Sequence, residues 1–325
     1  MTRDQITDAT AAVEILSPTR YRWLGESAPP LRAEVKRRLS TEEVREWLLL
    51  MIESRLYDAW YCQGRPVAVT GREHRALAHG SAQFVAALSE ANCGGGCWEP
   101  GWSIGTRVDQ TVELVRSGLT LRAASGDWRA GAAGDHEVRL PKELLRISPG
   151  YYMAVLDRPL PEPGPIVRLY WNMRPTGAVA FVREATKHGN GASVRGRLKV
   201  LNDPRHFDRA DAAVLYVAAE NLTAVAMLAR SVYRAVAADL NPHVPAFTKE
   251  LVPGVAVAED PGGGRSFGQD CCRLVAEGVV RAHEQGHRRI AARVAVVREV
   301  MAEQGVDPDE PHRRSSNLDG WNPLA

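Results

Sequence analysis

Cationic side chains lie between apolar runs from Ile166 to Val217, and these runs have the length and composition of β-strands. A cation held in a sheet loses hydration, and a nearby negative charge usually has to repay that cost. The charged and amide side chains of the stretch are Arg168, Asn172, Lys187, Lys199, Arg205, Arg209 and Asp211. The stretch therefore predicts a folded domain that binds an anion, and phosphate is the anion that best matches arginine side chains.

Strands and helices are predicted in blocks rather than in alternation. Ser40 and Glu43 form a capping-box pattern, and the apolar spacing that follows predicts a helix; a second is predicted over 81–91. Short alternating runs between Trp98 and Arg158 predict an antiparallel sheet. Further strands are predicted near 165–172, 194–200, 212–218 and 254–259, and further helices near 176–188, 221–240, 270–285 and 287–304. The order predicts an α+β fold with a central, mostly antiparallel sheet flanked by helices, and with helical N-terminal and C-terminal parts.

The chain is long enough for one large domain with a packed core. We predict a single α+β domain over residues 40–304, helical to about residue 92 and rich in strands over 98–218. Residues 1–39 are polar and interrupted by prolines, which predicts an N-terminal arm with a short helix. Residues 305–325 have a similar composition and are predicted to be a flexible tail.

The overall charge excludes a strong general attraction to nucleic acids or membranes. Lys and Arg number 41 and Asp and Glu number 39, giving a net charge of +2, so any basic function must be local. The sequence has no run of 18 apolar residues and no secretion signal at its start, which predicts a cytoplasmic protein without a nucleic-acid or membrane partner. Five cysteines, an odd number, do not indicate a disulfide framework.

His283, Glu284 and His287 match the H-E-x-x-H pattern of zinc peptidases, in which two histidines on one helical face bind the metal. A catalytic zinc needs a third protein ligand, and neither Glu303 nor Glu310 stands at a convincing position for it. A glycine inside the motif also predicts that the helix ends there. A zinc peptidase therefore remains a remote alternative, and no metal is predicted.

The turn Asp260–Gly268 stands between a predicted strand and a predicted helix. Turns of this kind can direct backbone N–H groups and a helix N-terminus towards a phosphate. Arg265 and Ser266 in this turn are therefore candidates for phosphate binding.

Four strings of the sequence resemble the HopA-type effector family, in order and over roughly residues 42–300. They are LPKELLRISPGYYMAVLDRP, VRLYWNMRPTGAVAFV, LKVLNDPRHFDRADAAVLYV and LVPGVAVAEDPGGGRSFG. Family members in bacterial biosynthetic clusters for ribosomal peptides resemble phosphothreonine/phosphoserine lyases, the elimination component of class V lanthipeptide and thioamitide systems. The resemblance implies a HopA-like lyase domain that removes phosphate from a phosphorylated precursor peptide, giving dehydroalanine or dehydrobutyrine. Its implied partner is a separate kinase of the aminoglycoside-phosphotransferase type.

The implied β-elimination needs no metal or other cofactor. It needs a base for the Cα proton, donors that stabilise the enolate, and cations that neutralise the departing phosphate. Lys142 and Lys199 are the candidates for base and acid, without an assignment between them, and Tyr152 and Asn172 are candidates for the enolate donors. The expected phosphate ligands from the strand-rich stretch are Arg168, Arg205 and Arg209. We expect one of these three arginines to form only a structural ion pair, and Asp211 to orient an arginine.

The sequence departs from the family pattern after its SFG string. Family members usually carry a basic residue or histidine followed by Arg-Cys, whereas this chain has Gln269-Asp270-Cys271-Cys272. If this helix start lies in the site, Asp270 and Cys271 would weaken phosphate neutralisation. A non-catalytic, effector-like or scaffold protein that binds the kinase or the phosphopeptide is therefore the second hypothesis.

Overall fold

The computed structural model describes residues 4–68, 80–132, 134–161, 164–315 and 317–325. Within these ranges the chain has eight α-helices and three sheets whose neighbouring strands are antiparallel, which confirms the predicted α+β class. No helix in the described ranges has the length and apolar character needed to cross a membrane.

The helices are α1 (Gln5–Ala12), α2 (Ala33–Lys36), α3 (Thr41–Ala59), α4 (Ala82–Ala91), α5 (Pro175–Gly191), α6 (Leu222–Val236), α7 (Phe267–Glu284) and α8 (Ile290–Glu303). The strands are β1 (Val13–Ser17), β2 (Arg20–Trp23), β3 (Glu26–Ser27), β4 (Cys97–Val108), β5 (Thr111–Arg116), β6 (Leu119–Ala124), β7 (Trp128–Ala130), β8 (His136–Leu140), β9 (Tyr151–Val155), β10 (Ile166–Trp171), β11 (Gly196–Leu201), β12 (Ala213–Ala218), β13 (Lys249–Val252) and β14 (Val255–Glu259). The capping box at Ser40 is present and begins α3, as predicted.

The central sheet has six strands in the order β13-β14-β10-β12-β11-β9. Successive residues of a strand point to opposite faces, so β10 contributes to two separate cores. Trp171 packs against Phe181 of α5, with ring centroids 5.7 Å apart, and Tyr170 packs near Phe267 of α7, at 6.4 Å. The sheet is therefore covered by α5 and α6 on one face, and by α3 and α7 on part of the other.

A second sheet has five strands in the order β6-β5-β4-β8-β7 and has its own small core around Trp102, Leu114 and Val138. The sequence predicted one antiparallel sheet between residues 98 and 158. In the structure β9 leaves that group and pairs with β11 at the edge of the central sheet. Pairing between strands distant in sequence decides this division, and local alternation carries no information about it.

The N-terminal arm contains the predicted short helix, α1, and also a small sheet, β1-β2-β3, that the sequence analysis did not predict. These strands have only two to five residues. Tyr21 and Trp23 anchor them because both side chains are buried in the core beside α7. Helix α1 packs against α8, so the arm belongs to the folded body.

The tail, predicted to be flexible, packs against the end of β14. Glu259 is buried, and its carboxylate accepts hydrogen bonds from the backbone amides of Arg314 and Ser315 and from the Ser315 hydroxyl. Leu318 is buried in the core under α5 and α6. A few specific contacts thus fix a segment whose polar composition suggested disorder.

Candidate anion-binding site

Arg168, Arg197 and Tyr216 form a row across three strands on one face of the central sheet. The register pairs Tyr216 of β12 with Arg168 of β10 on one side and with Arg197 of β11 on the other. The guanidinium carbons of Arg168 and Arg197 lie 5.2 Å and 5.3 Å from the centroid of the Tyr216 ring. These distances are within the range of cation–π contacts, so the tyrosine holds two cations beside each other.

Lys199 follows Arg197 by two residues on β11 and therefore points to the same face. Its Nζ lies 4.3 Å from the centroid of the Tyr151 ring. The Tyr151 hydroxyl donates to Asp211 at 3.4 Å. Lys199 is thus connected through Tyr151 to a buried carboxylate in the loop before β12.

Arg209 and Asp211 form an ion pair with two hydrogen bonds, at 2.8 Å from Nε and 2.9 Å from Nη2. Both residues are buried, with 9% and 2% of their surface exposed. Burial by itself would raise the pKa of Asp211, but the Arg209 guanidinium, with a smaller contribution from Lys199, holds it below its ordinary value. Asp211 therefore orients an arginine, as the sequence analysis expected.

Arg168 joins the sheet to the glycine-rich turn before α7. Its Nε donates to Asp260 at 2.7 Å and its Nη2 donates to the Arg265 carbonyl oxygen at 3.4 Å, while only 7% of the residue is exposed. The three glycines 262–264 all have positive φ, which explains why the turn needs them.

The other candidates in this turn have structural partners. The Ser266 hydroxyl caps α7 by accepting from the Gln269 amide. The Arg265 side chain is half-exposed and pairs with Glu53 at 3.3 Å.

We refer to Arg168, Arg197, Lys199 and Arg209 as the cationic cluster. Its four positive charges face two carboxylates, Asp211 and Asp260, which leaves a net charge of +2. Arg197 is exposed and Lys199 is half-buried, and among the described residues neither forms an ion pair within 4.0 Å. The cluster therefore combines two fixed arginines with two cations that solvent can reach.

Lys142 and Tyr152 lie on the other side of the central sheet from Lys199. The Lys142 ammonium donates to the carbonyl oxygens of Ser89 and Asn92, at 3.0 Å and 2.9 Å, at the C-terminal end of α4. The Tyr152 hydroxyl donates to Glu143 at 2.7 Å and accepts from Asn92 at 3.0 Å. Burial, together with the Glu143 carboxylate, raises the pKa of Tyr152. The structure therefore does not bring the two predicted lysines together.

Asn172 and Arg205 also lie outside the cationic cluster. The Asn172 amide donates to the His243 carbonyl oxygen at 2.8 Å and accepts from Asn241 at 3.2 Å, so it fixes a loop. The Arg205 side chain is 80% exposed and pairs with Asp203 at 2.6 Å. Of the three arginines from the strand-rich stretch, Arg205 is thus the one whose side chain lies at the surface, where it pairs with the buried carboxylate of Asp203.

At the start of α7, where the sequence departs from the family pattern, an arginine from elsewhere in the chain supplies a positive charge. Cys271 is buried in the core, and burial raises its pKa to about 12. Asp270 pairs with Arg314 at 3.0 Å, and the Arg314 guanidinium lies 5.9 Å from the Phe267 ring. A cation at this helix start therefore comes from the tail.

Sequence reasoning missed Arg197, Tyr151 and Tyr216. The signal for Arg197 was present, because a residue two positions before Lys199 in a strand must share its face. The two tyrosines looked like ordinary core residues, and their positions become informative only through the pairing of β9, β11 and β12.

The H-E-x-x-H motif does not form the arrangement that zinc peptidases need. Helix α7 ends at Glu284, and Gly286 has a φ of +76°, so His287 lies beyond the helix. The two histidines therefore do not share a helical face, and Glu284 pairs with Arg45 at 2.8 Å.

Two solved structures resemble the chain. The effector protein from Pseudomonas syringae pv. tomato strain DC3000 is 18% identical, with 83% of this chain and 95% of that chain covered and a TM-score of 0.48. The effector protein from Pseudomonas syringae pv. syringae strain 61 is 14% identical, with 87% and 93% covered and a TM-score of 0.42. No curated protein matches the chain. The model of the HopA1 effector protein family matches residues 143–313, more than half of the sequence, and the chain therefore belongs to the HopA1 effector protein family.

Proposed function

We propose that the chain is a metal-independent phosphoserine/phosphothreonine lyase. It would act in the cytoplasm on a ribosomal precursor peptide that a separate kinase of the aminoglycoside-phosphotransferase type has phosphorylated. The observation that carries the proposal is the cationic cluster, in which Arg197 and Lys199 face solvent beside the buried Arg168 and Arg209.

A phosphomonoester carries nearly two negative charges at neutral pH, and Arg197 is the cation of the cluster that stays charged and exposed while Lys199 acts as the base. Arg197 can contact the phosphate without first breaking an ion pair with a described residue. Arg168 and Arg209 are held by Asp260 and Asp211, so their guanidinium groups are fixed beside the phosphate site and need not reorganise.

The proposed reaction assigns the base to Lys199. Its neutral amine takes the Cα proton, the C–H electron pair becomes the Cα=Cβ double bond, and the Cβ–O bond breaks. The phosphate leaves with the bonding electrons into the field of Arg197 and Arg168. The same positive field stabilises the enolate that develops at the neighbouring carbonyl oxygen.

The test is to incubate the protein with phosphoserine and phosphothreonine peptides and to follow the peptide mass. Elimination removes phosphoric acid and leaves an alkene that an added thiol traps, whereas hydrolysis leaves a hydroxyl group. Lys199→Ala should lower the rate by about 100-fold or more. Arg197→Ala should mainly weaken phosphopeptide binding.

Lys142→Ala and Arg205→Ala are the matched controls, because both residues lie outside the cationic cluster. Both variants should retain the wild-type rate. Loss of turnover in a folded Lys142→Ala protein, with normal turnover in Lys199→Ala, would show that the base has been assigned to the wrong face of the sheet.

A non-catalytic phosphopeptide-binding protein is the second candidate function. It is favoured by the fixed contacts of Lys142, Tyr152 and Asn172, which leave Lys199 as the one candidate for proton transfer within the cluster. This alternative predicts phosphopeptide binding that depends on Arg197, with no mass change in the bound peptide.

A further inference from the structure

We infer that the cleft between β6 and β8 binds an extended segment of the substrate peptide as an added β-strand. The inference rests on the proposed function in one respect, that the substrate is a peptide. The cleft has a volume of about 540 Å³ and is lined by residues that include Leu121, Arg122 and Ala123 of β6 and Val138, Arg139 and Leu140 of β8.

Strand β6 is an outer strand of the five-stranded sheet and has a free backbone edge. A two-residue turn, Ser117–Gly118, joins it to β5, and both turn residues have positive φ, at 48° and 80°. In such a hairpin the flanking pair, Arg116 and Leu119, is hydrogen-bonded. Along β6 the residues then alternate between pointing their backbone groups towards β5 and away from it. The N–H and C=O groups of Thr120 and Arg122 therefore point away from β5.

These backbone groups make no hydrogen bond to any other part of the chain that the structure describes. A free strand edge is a template for pairing with another extended chain. The cleft beside it has a volume typical of ligand sites. The edge therefore has both unpaired backbone groups and the space to receive a strand.

The lining favours a peptide with an apolar side chain at every second position. Ala123 and Val138 are almost fully buried in the small core, and the partly buried Leu121 and Leu140 pack against it, so these two leucines form the apolar floor that an added strand can contact. Alternate side chains of an added strand would point to this floor. The two arginines of the lining are paired with carboxylates, Arg122 with Glu113 at 3.0 Å and Arg139 with Asp127, so the charge of the cleft is balanced and favours a neutral segment.

One end of the cleft lies near the edge of the central sheet. Gly95 lines it, and the Gly95 amide donates to Asp157 at 2.8 Å. Asp157 follows β9 by two residues, and Val155 of β9 pairs with Arg197. A peptide bound along β6 could therefore continue past the edge of the central sheet to the cluster.

Arg122→Pro tests the inference, with Arg122→Ala as its control. Both variants lose the side chain, but only proline also removes the N–H group on the free edge, a position that tolerates proline. The probe is the tightest binder that a library of random dodecapeptides yields against the full wild-type chain. We expect proline to weaken binding roughly 2- to 12-fold relative to alanine, as for the loss of one hydrogen bond.

The inference is overturned if no dodecapeptide is selected, or if the proline and alanine variants bind the probe equally. Thr120→Pro and Thr120→Ala repeat the comparison at the next outward position, should Arg122→Pro fail to fold. Failure of the proposed function is distinguishable, because the probe carries no phosphate. Edge-dependent binding without elimination would leave the strand site standing, and elimination without edge-dependent binding would refute the strand site alone.

Discussion

Replacing Asp211 by asparagine should lower the free energy of unfolding by about 3–5 kcal/mol, the cost of leaving a buried charge without its partner. Arginine stays protonated at all practical pH values, so the substitution leaves a full positive charge at Arg209. An asparagine side chain is nearly the same size as that of aspartate, which makes charge the main quantity that changes. For that reason, the change in unfolding free energy reports on the lost charge rather than on altered packing.

The magnitude follows from burial and geometry. The side chains of Arg209 and Asp211 are 10% and 3% exposed and share two short hydrogen bonds, so water can do little to replace the lost carboxylate. The pair Arg205–Asp203 has similar geometry, but its arginine is 80% exposed. Arg205→Ala leaves no buried arginine without a partner and should therefore cost less than Asp211→Asn.

Urea unfolding, followed by tryptophan fluorescence, measures the free energy of unfolding of both variants. The comparison is valid if the dependence of this free energy on urea concentration has the same slope in each. Adding Arg209→Met to Asp211→Asn should recover much of the loss, because the double variant leaves no unpaired charge. The reasoning is refuted if Asp211→Asn costs less than about 1 kcal/mol, or if the second substitution makes the protein still less stable.

Three further predictions concern the surroundings of the site. Lys142→Ala should destabilise the protein by about 1–3 kcal/mol, since two carbonyl oxygens at the end of α4 lose a charged donor. Urea unfolding measures this loss, and an unchanged unfolding midpoint would contradict the prediction. Glu259→Gln should weaken the docking of the tail and speed its cleavage by trypsin after Arg314, whereas equal cleavage rates would show that Leu318 suffices as an anchor. Hydrogen bonding from Arg205 lowers the pKa of Asp203 to about 2, so its contribution to stability is full above about pH 4 and is lost as the pH falls towards 2. The unfolding free energies of wild type and Asp203→Asn should therefore converge over that interval, and a constant difference would refute the assignment.

Local patterns predicted the elements whose stabilising contacts are close in sequence. The capping box of Ser40 and Glu43 begins α3, and the strands at 166–171, 196–201 and 213–218 are those that the apolar runs indicated. The α+β class follows from the order of these blocks. The strand β13 was missed because four residues at a sheet edge give almost no pattern.

The site was only partly predictable because it depends on which face each strand residue points to. Lys142 and Lys199 look equivalent in the sequence, yet one caps a helix and the other stands in the cationic cluster. The register of β9 on β11 decides this, and a shift of one residue would reverse it. Arg168 lies in the sheet, as predicted, whereas Arg209 lies in the loop before β12, and the partner of Arg168, Asp260, became clear only from the folded chain.

The packing of α1 against α8 has a consequence for how a nascent chain reaches this structure. A helix of eight residues is too short to persist alone in water. Its partners lie far along the chain: the Phe247 amide that donates to Gln5 is 242 residues away, and the Arg298 side chain that pairs with Asp4 is 294 residues away. Helix α1 can therefore dock only after α8 has been synthesised, and until then the apolar surface of α1 and β1 must be kept from other chains.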